Sequence, residues 1–345
     1  MIELKRNELV FSFPEVHEEA NMHVHFQRTL RIPDDDGTYP LPAGLGKFPV
    51  RHVDDYSDDV PDDWMQHGGV MLPMYQSEAL WLNFSGSGQY PFALKVAAGK
   101  IDAVTGHSWS NGLNRGPQDY VVVPEQPWLD GYCVKKGIIR QFVAMPLGSG
   151  YSVEEQVTGE AEFGGIQVIA YPMRREIYEE RFRHQPDMIM SPGTLFGAPA
   201  AVQSRVTGEF SMGLGAGGRM KQQIYNDPYD FSDWDVEHSS RCFVHIANSL
   251  AWRAITGDTP PTTPLTAREY KKHGIPWFDY YSEGDTAVPG SGVLGKIKSI
   301  ARRGKEKGDV PLPENEPIQP KRVVKLRRNI RRGRYARGVF ELGVG

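Results

Sequence analysis

Two carboxylates stand close to a tryptophan in the stretch Glu125–Gly131 (EQPWLDG). Glu125 and Asp130 beside Trp128 could carry out acid–base chemistry on a sugar, or bind one by stacking. The same letters also describe a turn in which Trp128 packs into the core, Asp130 caps the corner and Gly131 takes a positive φ. Because nothing distant in sequence completes a catalytic set, we expect the turn. A carboxylate-dependent hydrolase or carbohydrate-binding protein remains the alternative.

The end of the chain carries a strong positive charge. Residues 296–345 hold fifteen Lys or Arg and five Asp or Glu, a net charge of +10 in a chain whose net charge is −4. Guanidinium groups bind phosphates with two parallel hydrogen bonds, and a tyrosine ring can stack on a base. We therefore predict a non-catalytic protein whose tail binds a polyanion, either a nucleic acid or an anionic membrane surface. The candidate residues are Lys321, Arg322, Lys325, Arg327, Arg328, Arg331, Arg332, Arg334, Tyr335 and Arg337.

An acidic stretch near the N-terminus offers the opposite charge. Six aspartates fall within Asp54–Asp63. Two oppositely charged regions in one chain favour docking of the tail on its own body or on a second copy. The sequence therefore also predicts a homo-oligomer held by Asp54–Asp63 and the basic tail. A solubilising extension without a dedicated ligand is the remaining interpretation of the tail.

Three histidines near the N-terminus could ligate a metal ion. His23 and His25 would share one face of a strand, with His17 nearby, and imidazole suits zinc, copper or nickel. Nothing in the sequence fixes a fourth ligand. We expect ordinary surface or half-buried histidines, and we predict neither a metal nor a cofactor.

The glycine-rich stretch Gly213–Gly218 (GLGAGG) matches the dinucleotide-binding pattern G-x-G-x-x-G. A nucleotide site also needs an apolar strand before the glycines and a long helix after them. Asn226–Pro228 would stop such a helix early, so we expect a flexible loop that reaches Gly218. Cys133 and Cys242 lie within apolar runs, which predicts inert buried thiols rather than nucleophiles.

The elements that would position these residues are mainly strands. Short β-branched and aromatic runs such as Ala79–Phe84 and Ile138–Met145 recur between turn residues. This spacing predicts a mainly β (α+β) fold, with a sandwich- or barrel-like body and a few peripheral helices. One helix should cover Thr266–His273, with Thr266 as its N-cap.

Composition divides the chain into three regions. Residues 1–66 read as an extended acidic region packed on the body, residues 67–290 as the β-rich body, and residues 291–345 as a basic tail interrupted by prolines. Because so charged a segment buries little apolar surface, we expect the body to fold without residues beyond about Gly290.

Localisation is predicted from what the sequence does not contain. No apolar run approaches the roughly 18 residues of a membrane span, and the first residues lack the apolar core of a secretory signal. Two cysteines are too few for a disulfide framework. We expect a cytoplasmic protein that is not an enzyme.

Several long phrases occur in a familiar order, among them GGVMLPMYQSEALWLNF at Gly68–Phe84 and GGRMKQQIYNDP at Gly217–Pro228. Together with residues 39–50, 124–160 and 243–281, they resemble an uncharacterised family found in bacteria and fungi. Some fungal members of that family look as if they carry an added ubiquitin-like domain. The resemblance implies that residues 25 to 285 form one unit, and it transfers no activity, cofactor or catalytic residue.

Overall fold

Strands dominate the computed structural model, which describes residues 1–86, 89–182, 211–281, 285–310, 317–327 and 337–340. In chain order the strands are β1 (Ile2–Lys5), β2 (Glu8–Ser12), β3 (Asn21–Thr29), β4 (Thr38–Tyr39), β5 (Leu41–Pro42), β6 (Gly44–Lys47), β7 (Arg51–His52), β8 (Val70–Met74), β9 (Ala79–Gly86), β10 (Phe92–Ala98), β11 (Ile101–Asp102), β12 (Val121–Val123), β13 (Trp128–Leu129), β14 (Gly131–Lys135), β15 (Ile138–Pro146), β16 (Ile166–Pro172), β17 (Met212–Lys221), β18 (Ser240–Asn248), β19 (Trp277–Tyr281) and β20 (Val323–Arg327).

Helices are few and lie around these sheets. The α-helices are α1 (Asp62–His67), α2 (Val153–Thr158), α3 (Arg175–Phe182), α4 (Ser249–Thr256), α5 (Ala267–Lys272) and α6 (Ile300–Lys307), with single 3-10 turns at Asp54–Tyr56, Phe231–Asp233 and Leu294–Lys296. The predicted helix at Thr266–His273 is confirmed, since Thr266 and Glu269 form a reciprocal capping box. Within the described ranges, no helix combines the length and apolarity needed to cross a membrane.

Two large sheets bury their inner faces in one main core. One runs β1-β2-β3-β9-β15-β17-β4 with β6, β13 and β14 attached, and the other runs β11-β10-β16-β18-β8-β7 with β12 attached. Val24 and Phe26 of β3, from the first sheet, and Leu94 and Val96 of β10, from the second, belong to this core. Among the described strands no sheet closes on itself, so the predicted mainly β, α+β fold is confirmed in its sandwich-like form.

A third, smaller sheet covers the outer side of the first. It consists of β20, β19 and β5, and its strands enclose a second core around Trp81, Trp128 and Trp277. Trp81 reaches this core because it alternates along β9 with Leu80 and Leu82, which face the main core. The second core therefore lies directly beneath the β20 segment of the basic region.

Both ends of the chain are built into these layers. Residues 1–66 supply β1 to β7, and β3 pairs with β9 over eight residues. Beyond residue 290, Ile300 of α6 is buried against Val143 and Met145, and β20 pairs in parallel with β19. The Phe340 amide donates to the Gly44 carbonyl oxygen at 2.8 Å. The described parts of residues 291–345 are thus packed on the body rather than separate from it.

The predicted loop up to Gly218 is wrong for residues 212–218, which form part of the buried strand β17. The glycines allow close packing rather than flexibility. A Cβ at Gly217 would lie 2.7 Å from Val143 Cγ2, and one at Gly218 would lie 2.2 Å from the Pro33 carbonyl oxygen. Glycine inside a strand often marks such a close approach.

Candidate functional site

Asp130 and Arg337 form a fully buried ion pair between the first sheet and the end of the chain. Their Oδ2 and Nη1 atoms are 2.6 Å apart, and neither side chain is exposed. Gln222 donates to the other Asp130 oxygen at 3.0 Å. Arg337 donates from Nε to the Pro42 carbonyl oxygen at 2.6 Å, and from Nη2 to the same oxygen. The carboxylate and guanidinium thus have the extra hydrogen bonds that a buried ion pair requires.

Aromatic rings complete this enclosure. The Arg337 guanidinium carbon lies 4.2 Å from the centre of the Trp81 ring and 6.0 Å from that of Trp128. Burial raises the pKa of Asp130, and the charge of Arg337 acts in the opposite direction. Arginine stays protonated throughout the accessible pH range, so Arg337 supplies a permanent positive charge beside this carboxyl.

This geometry changes the interpretation of three residues. Arg337, a candidate polyanion ligand, has its donors directed into the protein at Asp130 and Pro42. The prediction that Asp130 caps a turn is wrong, because its partners are Arg337 and Gln222. The prediction of a positive φ at Gly131 is also wrong, because Gly131 is not among the glycines with positive φ. Gly131 lies in β14, where a Cβ would approach the Arg140 carbonyl oxygen to 1.9 Å.

The alternative site at Glu125, Trp128 and Asp130 does not assemble as a set of converging groups. Glu125 is buried and accepts a hydrogen bond from the Tyr229 hydroxyl at 2.9 Å, whereas Asp130 binds Arg337. Trp128 is completely buried, with its ring centre 5.0 Å from that of Tyr280. A ring without an exposed face cannot stack on a sugar, so this arrangement favours a structural role.

The exposed cations of the candidate site lie at and beside the edge strand β20. Lys321, Arg322 and Lys325 are exposed, and none forms an ion pair with another described residue. Arg327 ends β20. Arg328, Arg331, Arg332, Arg334 and Tyr335 lie outside the described residues, between β20 and the buried Arg337.

Sequence reasoning missed Lys221, which the fold brings beside this edge. A cavity of about 470 Å³ is lined by Lys221 at the end of β17, Asp279 of β19 and Val323 of β20. Lys221 is exposed and forms no ion pair with the described residues. The only signal in the sequence is that a strand of buried residues ends on a lysine.

The acidic stretch forms a separate surface. Asp54, Asp55, Asp58, Asp62 and Asp63 are exposed, and no ion pair joins the aspartates of Asp54–Asp63 to a described cation. Val60 within the stretch and Trp64 directly after it anchor it by packing in one cluster with Trp252 of α4. No described contact joins this acidic surface to the described part of the basic region.

The three histidines considered above as metal ligands lie in two places. His23 and His25 flank Glu8, at 2.9 and 3.5 Å from its carboxylate, whereas the His17 ring meets the Tyr178 ring edge to face. Across the described ranges, no group of three or more His, Cys, Asp or Glu has an arrangement that could hold a metal ion.

The cysteines are confirmed as buried thiols. Burial raises the pKa of both Cys133 and Cys242 to about 12, so neither is a thiolate at neutral pH.

Comparison with protein-family models, with curated proteins and with solved structures finds no match to this chain. The resemblance to a bacterial and fungal family therefore stays a prediction.

Proposed function

We propose that this protein binds a polyanion through its basic C-terminal region and carries out no catalysis. The observation that supports this most is the cationic edge formed by Lys221, Lys321, Arg322 and Lys325. These four side chains are exposed and form no ion pair with a described carboxylate. Unpaired surface cations along one edge attract phosphates without first breaking an internal contact.

The ends of the Arg-rich stretch are fixed to the body. β20 pairs with β19 over five residues, and Arg337 is buried against Asp130. The stretch 328–336 between these points contains four further arginines. A ligand that contacts a segment held at both ends has less chain entropy to overcome than one that must order a free tail.

Arginine suits this role better than lysine. Its planar guanidinium forms two parallel hydrogen bonds with a phosphate, and Tyr335 could stack on a base. We place this binding in the cytoplasm, with a nucleic acid or an anionic membrane surface as the polyanion.

The exposed acidic surface supports a second candidate function, self-assembly. The acidic surface at Asp54–Asp63 and the cationic edge carry opposite charges, and no described contact joins them within one chain. Contact between two copies would bring these charges together without rearranging either region. Such an oligomer should dissociate as salt is added, because its contacts are exposed.

A salt titration of the full chain tests both functions. We expect affinity for single-stranded DNA, duplex RNA or anionic vesicles to fall steeply with salt. If about six cations engage nucleic-acid phosphates, the slope of log K against log salt should be about −4 to −5. The triple variant Lys321→Gln/Arg322→Gln/Lys325→Gln should reduce the steepness by about 2 to 3.

The matched control removes three cations from α5 and its end, in the variant Arg268→Gln/Lys271→Gln/Lys272→Gln. These residues are equally exposed but belong to α5 and not to β20, so the slope should stay as in the wild type. Equal losses in both variants, or a wild type without salt-dependent binding, would contradict the polyanion proposal. Light scattering at low and high salt reports on self-assembly in the same samples.

A further inference from the structure

The loop between β11 and β12, residues 103–120, is held to strand β10 by the hydrogen bonds of a buried lysine. Lys95 of β10 is only 1% exposed, and its Nζ donates to the carbonyl oxygens of Ser110 and Gly112 at 2.7 and 2.5 Å. It also donates to Asp119 Oδ2 at 2.8 Å. Lys95 therefore satisfies loop carbonyls that would otherwise need water or a strand partner.

Two carboxylates hold further residues of this loop. Asp102 Oδ1 accepts hydrogen bonds from the amides of Val104 and Thr105, and from the Thr105 hydroxyl. Asp119 Oδ1 accepts one from the Asn114 amide at 2.8 Å. Connections this long without strand or helix are uncommon in compact domains and are often functional. The hydrogen bonds of Lys95, Asp102 and Asp119 hold the backbone of this loop in place, and the loop side chains therefore project from fixed positions.

A cleft of about 660 Å³ opens beside this loop. Its other walls come from residues 226–227 and 288–293. The volume is within the range of small-molecule sites. The apolar walls of the cleft are formed by Val104, Pro117, Val288 and Val293. The apolar part of a ligand could be buried against them.

Most polar groups of the cleft are already engaged within the protein. Asp227 Oδ2 accepts hydrogen bonds from the Tyr120 hydroxyl at 2.6 Å and from the Trp234 indole at 2.8 Å. Gln118 accepts from the Asp227 amide, and the Ser291 hydroxyl donates to the Thr105 carbonyl oxygen at 2.5 Å. The Asp227 carboxylate is thus turned into the body, with two donors on one oxygen.

Two side chains are the exception. His107 and Arg115 line the cleft and are exposed, and neither side chain forms a hydrogen bond or ion pair with another described residue. Arg115 carries a permanent charge and a planar set of donors, which match a carboxylate or a phosphate. The groups left for a ligand are therefore an arginine and an imidazole above apolar walls.

We infer that this cleft binds a small organic anion. Its charged group would contact Arg115 and His107, and its apolar body would lie against Val104, Pro117 and Val293. The site is independent of the polyanion proposal, because none of its residues belongs to the cationic edge. Since Lys95 already fixes the loop, little ordering should accompany binding.

Calorimetric titration of the full chain with benzoate and with phenyl phosphate tests this site. We expect a dissociation constant below about 1 mM for at least one of these probes, and no measurable binding of uncharged benzyl alcohol. The variant Arg115→Gln should weaken that binding about tenfold or more. Because Arg115 is exposed and unpaired among the described residues, this substitution should leave the fold intact, which a thermal melt confirms.

The control Arg253→Gln removes an exposed arginine of α4 and should bind as the wild type does. The inference would be overturned if the wild type bound neither benzoate nor phenyl phosphate at a probe concentration of about 10 mM, ten times the expected dissociation constant. Equal affinity of Arg115→Gln and the wild type would overturn it as well, because binding would then not involve the guanidinium.

Discussion

Two buried cation–carboxylate pairs hold polar segments to the body, and they differ in how far along the chain they reach. Lys95 and Asp119 are 24 residues apart with atoms at 2.8 Å, whereas Arg337 and Asp130 are 207 residues apart with atoms at 2.6 Å. Each cation also donates to backbone carbonyl oxygen, Lys95 to two such atoms and Arg337 to one. The same device fixes a local loop in one case and the end of the chain in the other.

The difference lies in what can happen when a pair is broken. Lys95 belongs to a strand inside the seven-stranded sheet, so its surroundings cannot open without disrupting that sheet. Arg337 belongs to the described segment 337–340, whose backbone hydrogen bonds to Gly44 are two in number. We expect this segment to leave the body and become hydrated when the pair is broken. We therefore expect the local pair to be the more costly one to break.

Lys95→Met should have the largest effect. Asp119 and two carbonyl oxygens would lose their donor in a place that cannot open, and we expect the free energy of unfolding to fall by about 3 to 5 kcal/mol. Urea denaturation measures this. Lys136→Met, at an exposed lysine position without an ion pair to another described residue, serves as control and should melt as the wild type does. A loss no larger than the control's would show that Lys95 does not hold the loop.

Arg337→Met should cost less, about 1.5 to 3 kcal/mol, the range for a hydrogen bond to a charged group. The loss is limited because the terminal segment can undock. The same denaturation experiment applies. A second measurement is the rate at which trypsin cleaves at the Lys and Arg residues of 321–334. Faster cleavage is expected in the variant. A cost equal to that of Lys95→Met would mean that the terminal segment cannot leave.

Acid should weaken the body at points away from both pairs. Burial lowers the pKa of His25 and of His245 to about 4. Below their ordinary pKa near 6.5, the unfolded chain takes up protons that the folded chain excludes, so stability falls as the pH drops from about 6.5 to 4. Each histidine should contribute about 2 kcal/mol to the loss between pH 7 and 5.

Denaturation at the two pH values measures this loss, and His245→Gln isolates one contribution. The glutamine amide can still donate to the Gly68 carbonyl oxygen, as His245 Nε2 does. The drop between pH 7 and 5 should become smaller by about 2 kcal/mol in this variant. An unchanged drop would contradict the account of His245 as a neutral buried base.

A pair of glycine substitutions should show the smallest effects. A Cβ at Gly338 would lie 2.9 Å from Phe340 Cε2 and 3.2 Å from Phe278 Cζ, so Gly338→Ala should cost about 1 kcal/mol as these rings shift. Gly112→Ala, in the loop held by Lys95, meets no atom within 4 Å. It should melt as the wild type does. Reversal of this order would contradict the close docking of residues 337–340.

Local patterns predicted the parts of the fold that local chemistry controls. The capping residues at Thr266 and Glu269 identify α5, and the apolar runs around Cys133 and Cys242 predict their burial. β17 could not be predicted in this way, because its glycines look like a loop until the neighbouring Val143 and Pro33 are in place.

The two buried pairs show the same limit in the candidate sites. Lys95 could have been suspected, since a lysine inside the apolar run FALKVAA must find a carboxylate or carbonyl partner if that strand is buried. Arg337 gave no such sign among many arginines. Its role depends on Asp130 and Pro42, both distant in sequence, which only the folded chain brings to it.

Hydrogen exchange at the Phe340 amide tests most directly whether the end of the chain is anchored by Arg337. This amide donates to the Gly44 carbonyl oxygen at 2.8 Å, and Gly44 in turn donates to the Gly338 carbonyl oxygen at 3.1 Å. The wild type should exchange at this amide at least about tenfold more slowly than an unstructured chain. Arg337→Met should lose that protection while the amides of β3 keep theirs. Exchange of the wild-type Phe340 amide at the rate of an unstructured chain would contradict the anchor.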